Sequence, residues 1–254
     1  MLSPTEFFAQ LYGDTNLKYN PGSGGRNFNN HFSTSTYTPE GTWLNLMKQK
    51  NSSGDISPTG GQMPRLLGLA YASKLFRLNS KLTSFKQLTN KGNEVAFGTI
   101  GDASTSEGHF FETINAAGVL QVPLAISIWD DGYGISVPIS YQTTKQSISE
   151  ALRGFEKNNK NNGILIYQVS GWNYPKLCSV FKVGIEQCRK EHIPVLFHVQ
   201  EMTQPLGHSS SGSHERYKTK ERLDWELEYD PIKKMSEWIL EKKIAEIEIL
   251  LQLE

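Results

Sequence analysis

Two short apolar runs, each closing on glycine and aspartate, set the strongest limit on how this chain can fold. The first, Val95, Ala96 and Phe97, leads to Gly101-Asp102; the second, Leu124 to Ile128, leads to Asp130-Asp131-Gly132-Tyr133. A segment of helical character lies between them, so the stretch predicts a strand–helix–strand unit with parallel strands. In open parallel sheets, ligands sit at the carboxyl ends of strands. Asp102 and Asp131, 29 residues apart (131 − 102), are therefore delivered to one edge. Two carboxylates converging there suit a hard divalent cation, and magnesium in such places usually also holds substrate phosphates. Gly101 and Gly132 let backbone approach the ion and the phosphates closely. An ordinary turn carrying two solvated acids is the plain alternative.

The alternation continues. Ile164 to Val169 reads as a strand, Tyr174 to Lys190 as a helix and Pro194 to Glu201 as a strand. This predicts an α/β fold, a mainly parallel sheet covered by helices on both faces. Upstream, residues 1–20 read as a short amphipathic helix around Phe7, Phe8, Leu11 and Tyr12, and residues 21–55 as loop, rich in Gly, Asn, Ser and Thr. Met63, Leu66, Leu67, Leu69, Ala70, Leu75 and Phe76 mark a helix from Gly61 to Arg77. Residues 215–254 are strongly charged, with Ile232, Met235, Trp238 and Ile239 at helical spacing, and predict a surface helix or a pair of helices.

The chain has 254 residues, enough for one large α/β domain. It divides into an entry helix and loop (1–55), a core (56–205), and a polar loop with charged C-terminal helices (206–254). Its 26 Lys and Arg balance 26 Asp and Glu, so nothing points to nucleic acid or a membrane surface. No run of about 20 apolar residues is present to span a membrane, and the start lacks the pattern of a secretory signal. Cys178 and Cys188 have no His or Cys partner at metal spacing, and read as reduced, half-buried thiols of a cytoplasmic protein.

The stretch from Gly98 to Val137 resembles the thiamine diphosphate-binding motif, in which Gly-Asp follows one strand and Asn-Asn the next. More narrowly it is similar to the α subunit of 2-oxo acid dehydrogenases, the decarboxylating component of the pyruvate and branched-chain complexes. That family continues with Ser-Glu-Gly and Gly-Tyr-Ala-Ile-Ser; here these read Ser106-Glu107-Gly108 and Gly132-Tyr133-Gly134-Ile135-Ser136. The resemblance implies a transketolase-like thiamine diphosphate fold. It makes Asp102 and Asp131 side-chain magnesium ligands and has Tyr133 add its backbone carbonyl. Gly101, Asp102, Ala103, Ser104, Asp131 and Tyr133 would contact the cofactor.

Three further segments carry the resemblance. Ser57-Pro58-Thr59-Gly60-Gly61-Gln62 precedes the Gly61–Arg77 helix and offers hydroxyls and amides to a ligand. By resemblance Ser57 and Thr59 face the cofactor, and a structural potassium lies near Ser57 to Gln62; a helix-capping loop is the alternative. Thr203 to His214 resembles the loop that closes over the family's active site. There His208 matches the catalytic histidine, suited to proton transfer near neutrality, and Ser209 to Ser211 stand where eukaryotic relatives are phosphorylated. Gly25-Arg26-Asn27 to His31-Phe32 resembles the entrance segment, and makes His31 a second catalytic candidate, lining the substrate channel or serving as a loop histidine. His109, His192 and His198 read as structural.

The chain departs from the family at Asp130-Asp131, where Asn-Asn is usual, and at Trp129, where an arginine facing the diphosphate is common. Carboxylates still ligate magnesium, but the pair adds negative charge beside a diphosphate, so a cation from elsewhere is expected. The family's upstream segment and its pyrimidine-binding half are missing, which reads as truncation at both ends and a need for a β subunit or fused domain. The implied activity is decarboxylation of a 2-oxo acid with transfer of the acyl group to the lipoyl group of an acyltransferase partner. Self-association is expected, through the small residues Gly68, Ala70 and Ala72 and Ala116, Ala117 and Gly118. The rival readings are a non-catalytic or fragmentary subunit that keeps the fold, another thiamine diphosphate enzyme, and a binder of a metal–nucleotide.

Overall fold

The computed structural model describes residues 3–26, 31, 33–38, 40–54, 56–82, 84–208 and 213–253. Its helices are α1 (Pro4–Leu11), α2 (Gln62–Leu78), α3 (Gly108–Leu120), α4 (Ile148–Ala151), α5 (Tyr174–Glu191), α6 (Lys220–Glu228), α7 (Pro231–Glu241) and α8 (Ile247–Leu251). Its strands are β1 (Ala96–Gly101), β2 (Leu124–Trp129), β3 (Tyr133–Gly134), β4 (Val137–Pro138), β5 (Leu165–Ser170) and β6 (Val195–Gln200). β3 and β4 form a small antiparallel pair. The other four make one parallel sheet in the order β1-β2-β6-β5.

Local chemistry explains the helix boundaries. Ser3 and Glu6 close a reciprocal capping box at the start of α1. Asn173 accepts from the amide of Lys176 at the start of α5, with a proline in its first turn. Gln121 and His192, both left-handed, end α3 and α5. Asp230 accepts from the amides of Ile232 and Lys233 and opens α7.

The core has two layers, one on each side of the sheet. Alternation along β2 sends Leu124, Ile126 and Ile128 to one side with Met63, Leu66, Ala70, Phe110, Ile114 and Ala117 of α2 and α3. Ala125 faces the other side, with Phe197, Val199, Val169 and Cys188. Burying side chains as large as Phe110 and Phe197 stabilises the fold by roughly 1.5–3 kcal/mol each. α5 crosses the second face closely because Gly184 sits on the Phe197 ring. A Cβ at Gly184 would lie 2.6 Å from that ring, and Phe181 stacks on it with centroids 4.1 Å apart.

The α/β architecture, the parallel sheet and the helices on both of its faces agree with the sequence reading. Several details differ. The charged C-terminal region forms three described helices rather than one or two, and the last ends at Leu251. The two cysteines are not alike: Cys178 is exposed, whereas Cys188 is buried, its thiol pushed up to about 12 by burial. Ala70 and Ala117 are fully buried in the chain's own core, so they close the α2–α3 contact and are not open to a partner. Exposed on α2 are Gly68, Leu69 and Tyr71. No helix among the described residues is long and apolar enough to cross a membrane.

Candidate functional site

β1 and β2 are neighbours in register, with Gly101 opposite Trp129. The ladder runs one step past the strands, where the amide of Asp102 donates to the carbonyl of Trp129 at 3.1 Å. This places Asp102 and Asp131 at a common sheet edge, as the strand–helix–strand unit predicts. They line a cavity of about 630 Å³, with Gly101, Ala103, Ser104, Thr59 and Tyr133 on its walls and His208, Gln204 and Met202 lining it from the loop after β6.

The carboxylates of this corner crowd one another. Asp102 is buried, and its Oδ2 has no hydrogen-bond partner. Burial, then the charges of Asp130 and Asp131, push its carboxyl up to about 7. Asp131 is raised as well, chiefly by burial, against the opposing pull of the Tyr133 amide, Lys218 and Arg222. The Asp131 Oδ1 accepts from the Tyr133 amide at 3.1 Å. With its amide oriented to suit its neighbours, Gln204 donates to Asp131 Oδ2 at 3.0 Å and accepts from the His208 amide at 3.3 Å. An orphaned carboxylate oxygen beside a second carboxylate fits the chemistry of a hard divalent ion. No cluster of three or more His, Cys, Asp or Glu residues suited to a metal occurs among the described residues.

Asp130 differs from Asp131 in its hydrogen bonds, although its charge also acts on Asp102. Its amide donates to the Val199 carbonyl at 2.9 Å, and its carboxylate turns away from the cavity. Oδ2 lies 2.7 Å from His198 Nε2, and Oδ1 accepts from the Gly132 amide at 2.8 Å. His198 is fully buried, and its Nδ1 is 2.9 Å from Ser149 Oγ. The neighbouring acids thus divide: Asp130 shapes the turn from beneath, and Asp131 faces the cavity. Adjacent residues at a strand end point to opposite sides, which separates the two roles.

The 56–62 loop is tied to the same region. His109 Nε2 is 3.0 Å from the Thr59 carbonyl, and the Gln62 amide donates to the Ile56 carbonyl at 2.9 Å. Thr59 reaches the cavity, whereas Ser57 is exposed and engaged elsewhere, 2.8 Å from His31 Nε2. Neither Ser57 nor His31 is among the residues that line the cavity. Asn27, Phe32, Asp55 and the loop residues Ser209 to Ser211, on which entrance, capping and phosphorylation readings fall, lie outside the described residues.

Two residues escaped the sequence reading. Gln204 contacts both Asp131 and the His208 backbone; it was visible only as part of the loop. Arg222, on α6, donates through Nη2 to the Asp131 carbonyl at 2.7 Å. Its pairing with Glu226 four residues on is a helical spacing legible in the sequence, but its reach to residue 131 is not.

Comparison with known proteins points to one family. The family described as dehydrogenase E1 component matches residues 2–254. The α1 subunit of mitochondrial 2-oxoisovalerate dehydrogenase from Arabidopsis thaliana is 26% identical over 185 residues, 72% of this chain and 34% of the relative. The pyruvate dehydrogenase E1 component α subunit of Rickettsia bellii is 25% identical over 186 residues, 73% of this chain and 50% of the relative. The 2-oxoisovalerate dehydrogenase α subunit of Bacillus subtilis is 25% identical over 230 residues, 90% of this chain and 59% of the relative. The chain thus spans about half the length of the curated relatives it matches.

Proposed function

The chain belongs to the dehydrogenase E1 component family, and on that premise we propose that it is the diphosphate-binding part of a thiamine diphosphate-dependent 2-oxo acid dehydrogenase. The reaction is decarboxylation of a 2-oxo acid and transfer of the acyl group to a lipoyl-bearing acyltransferase, carried out with a β subunit or equivalent domain. The observation that carries the reading is the buried, unpartnered Oδ2 of Asp102 beside Asp131 at one end of the parallel sheet.

In this reading Asp102, Asp131 and the Tyr133 carbonyl would hold magnesium, whose charge would offset the two acids. Gly101, Ala103 and Ser104 present the backbone that follows β1 to the same ligand, and Thr59 borders it from the facing loop. Thiamine diphosphate, when bound, supplies the electron sink for decarboxylation. His208, which lines the cavity, would hold or move a proton there, and Gln204 accepts from its backbone amide. His31 and Ser57 act as a pair on the entrance side. A structural potassium, where the resemblance puts one, belongs to the turn at 57–62.

A second reading, a subunit that keeps the fold without chemistry, is favoured by one observation. The described residues lining the cavity include Asp102, Glu107 and Asp131 but no Lys or Arg. Calorimetric titration of magnesium with thiamine diphosphate, with and without a β subunit, separates the two. The enzyme reading expects metal-dependent binding, and 2-oxo acid turnover only once the β subunit is added. A chain that binds neither ligand and stays silent with the β subunit overturns it.

A further inference from the structure

We propose that a second cavity, at the other end of β1 from Asp102, is a binding site for a small organic anion with an apolar body. Its volume is about 570 Å³, within the range of pockets that hold small ligands. Glu94, just before β1, and Arg189, in the last turn of α5, both line it. Met47, Phe76 and Leu82, each half-buried, give it an apolar part.

The charge of this cavity is the reverse of the one beside Asp102. Lys86, Lys91 and Arg189 line it against a single acid, Glu94. Among the described residues no carboxylate forms an ion pair with any of the three cations. Glu94 is satisfied locally instead: Thr89 Oγ1 donates to its Oε2 at 2.8 Å, and the Asn90 amide donates to its Oε1. Three cations against one acid leave two positive charges around a shared space. A cleft lined by one sign of charge focuses the field and draws in the opposite ion. The charged head of the ligand is thereby an anion, and its body is set by Met47, Phe76 and Leu82.

The walls are fixed in place. Lys91 and Gly92 are both left-handed, with φ of 56° and 69°, and the Gly92 amide donates to Thr89 Oγ1 at 2.9 Å. A Cβ on Gly92 would meet the Ser73 carbonyl and lie 2.6 Å from the Arg77 amide, so the turn that carries Lys91 sits directly on α2. Ser73 Oγ donates to the Glu94 carbonyl at 2.8 Å and ties the turn down further. Arg189 Nη1 donates to the Asn93 carbonyl, which holds the guanidinium against the same turn. The end of α5 would bring partial negative charge here, but Arg77 takes it up: its Nη2 donates to the Arg189 carbonyl at 2.9 Å and its Nη1 to that of Lys190 at 3.3 Å. Groups already held in position lose little freedom when a ligand arrives.

The test is calorimetric titration of the whole chain, in metal-free buffer, with four probes. Hexanoate and phenyl phosphate carry both an anionic head and an apolar body; acetate has only the head, and hexanamide only the body. Hexanoate or phenyl phosphate should bind with a Kd below about 1 mM, and acetate and hexanamide at least about tenfold more weakly. The tighter of the first two identifies the head as carboxylate or phosphate. Lys86 and Lys91 are exposed, so Lys86→Glu combined with Lys91→Glu should leave Tm nearly unchanged and weaken the binding about tenfold or more. If that variant does not fold, Lys86→Gln with Lys91→Gln replaces it, with a loss of about threefold or more expected. Any one of three results overturns the proposal: no probe binding below about 1 mM, acetate or hexanamide binding as well as the complete probes, or a folded lysine variant that binds as the parent does.

Discussion

Asp102→Asn should make the metal-free protein more stable at pH 8 while removing its response to magnesium. An ordinary aspartate titrates near 3.8, and folding moves Asp102 up to about 7. Because the folded value is the higher one, the folded chain holds an extra proton between those pH values, so its stability falls as pH rises through the window. Above pH 7 the full cost is present, corresponding to about 4 kcal/mol if the shift were expressed undiminished. Asp102 borders a cavity open to water and ions, and screening reduces the working figure to about 2 kcal/mol. Asparagine keeps the shape without the charge. The variant should match the parent near pH 4 and exceed it by about 2 kcal/mol at pH 8, which for a chain of this size is about 4–8 °C in Tm. Magnesium should raise the parent's Tm at pH 8 and leave the variant's unchanged. Thermal melts at the two pH values, with and without the metal, measure all four numbers. A variant no more stable than the parent at pH 8, or an advantage equal at both pH values, would refute the argument that Asp102 is held ionised at a cost for a cation's sake.

Further outcomes follow from the same geometry. Asp131→Asn should bind magnesium and thiamine diphosphate as well as or better than the parent; a loss in calorimetric affinity beyond about tenfold, or 1.4 kcal/mol, would show that the carboxylate itself is required. His198→Ala should leave the Asp130 carboxylate buried without its partner and cost roughly 3–5 kcal/mol in urea unfolding, whereas a loss under about 1 kcal/mol would mean that the pair at 2.7 Å is not a strong contact. Gly184→Ala forces a Cβ to within 2.6 Å of the Phe197 ring and should cost about 1–3 kcal/mol by overpacking, with near-ultraviolet circular dichroism reporting the disturbed Phe181–Phe197 stack.

The amino-acid sequence by itself determined the elements and their order. The period-2 and period-3.6 patterns placed β1, α3, β2, β5, α5 and β6 within a few residues of where they lie. Gly101-Asp102 and Asp131-Gly132 marked the strand ends because regular alternation stops there. Asp102 and Asp131 were legible as partners because a strand–helix–strand unit brings its two strand ends to one edge whatever surrounds it. Other features needed the tertiary structure. Nothing local tells Asp130 from Asp131; only the packing of β6 against β2, which brings His198 under the turn, decides that one carboxylate is internal and the other faces the cavity. Ser57 and Thr59 are two residues apart, yet folding sends Thr59 to the cavity and Ser57 to His31. The side chain that grips the Asp131 carbonyl comes from Arg222, 91 residues later in the chain. Charge and pattern are properties of a segment, but burial, and the neighbours that shift a carboxyl or neutralise it, arise only when distant segments are packed together.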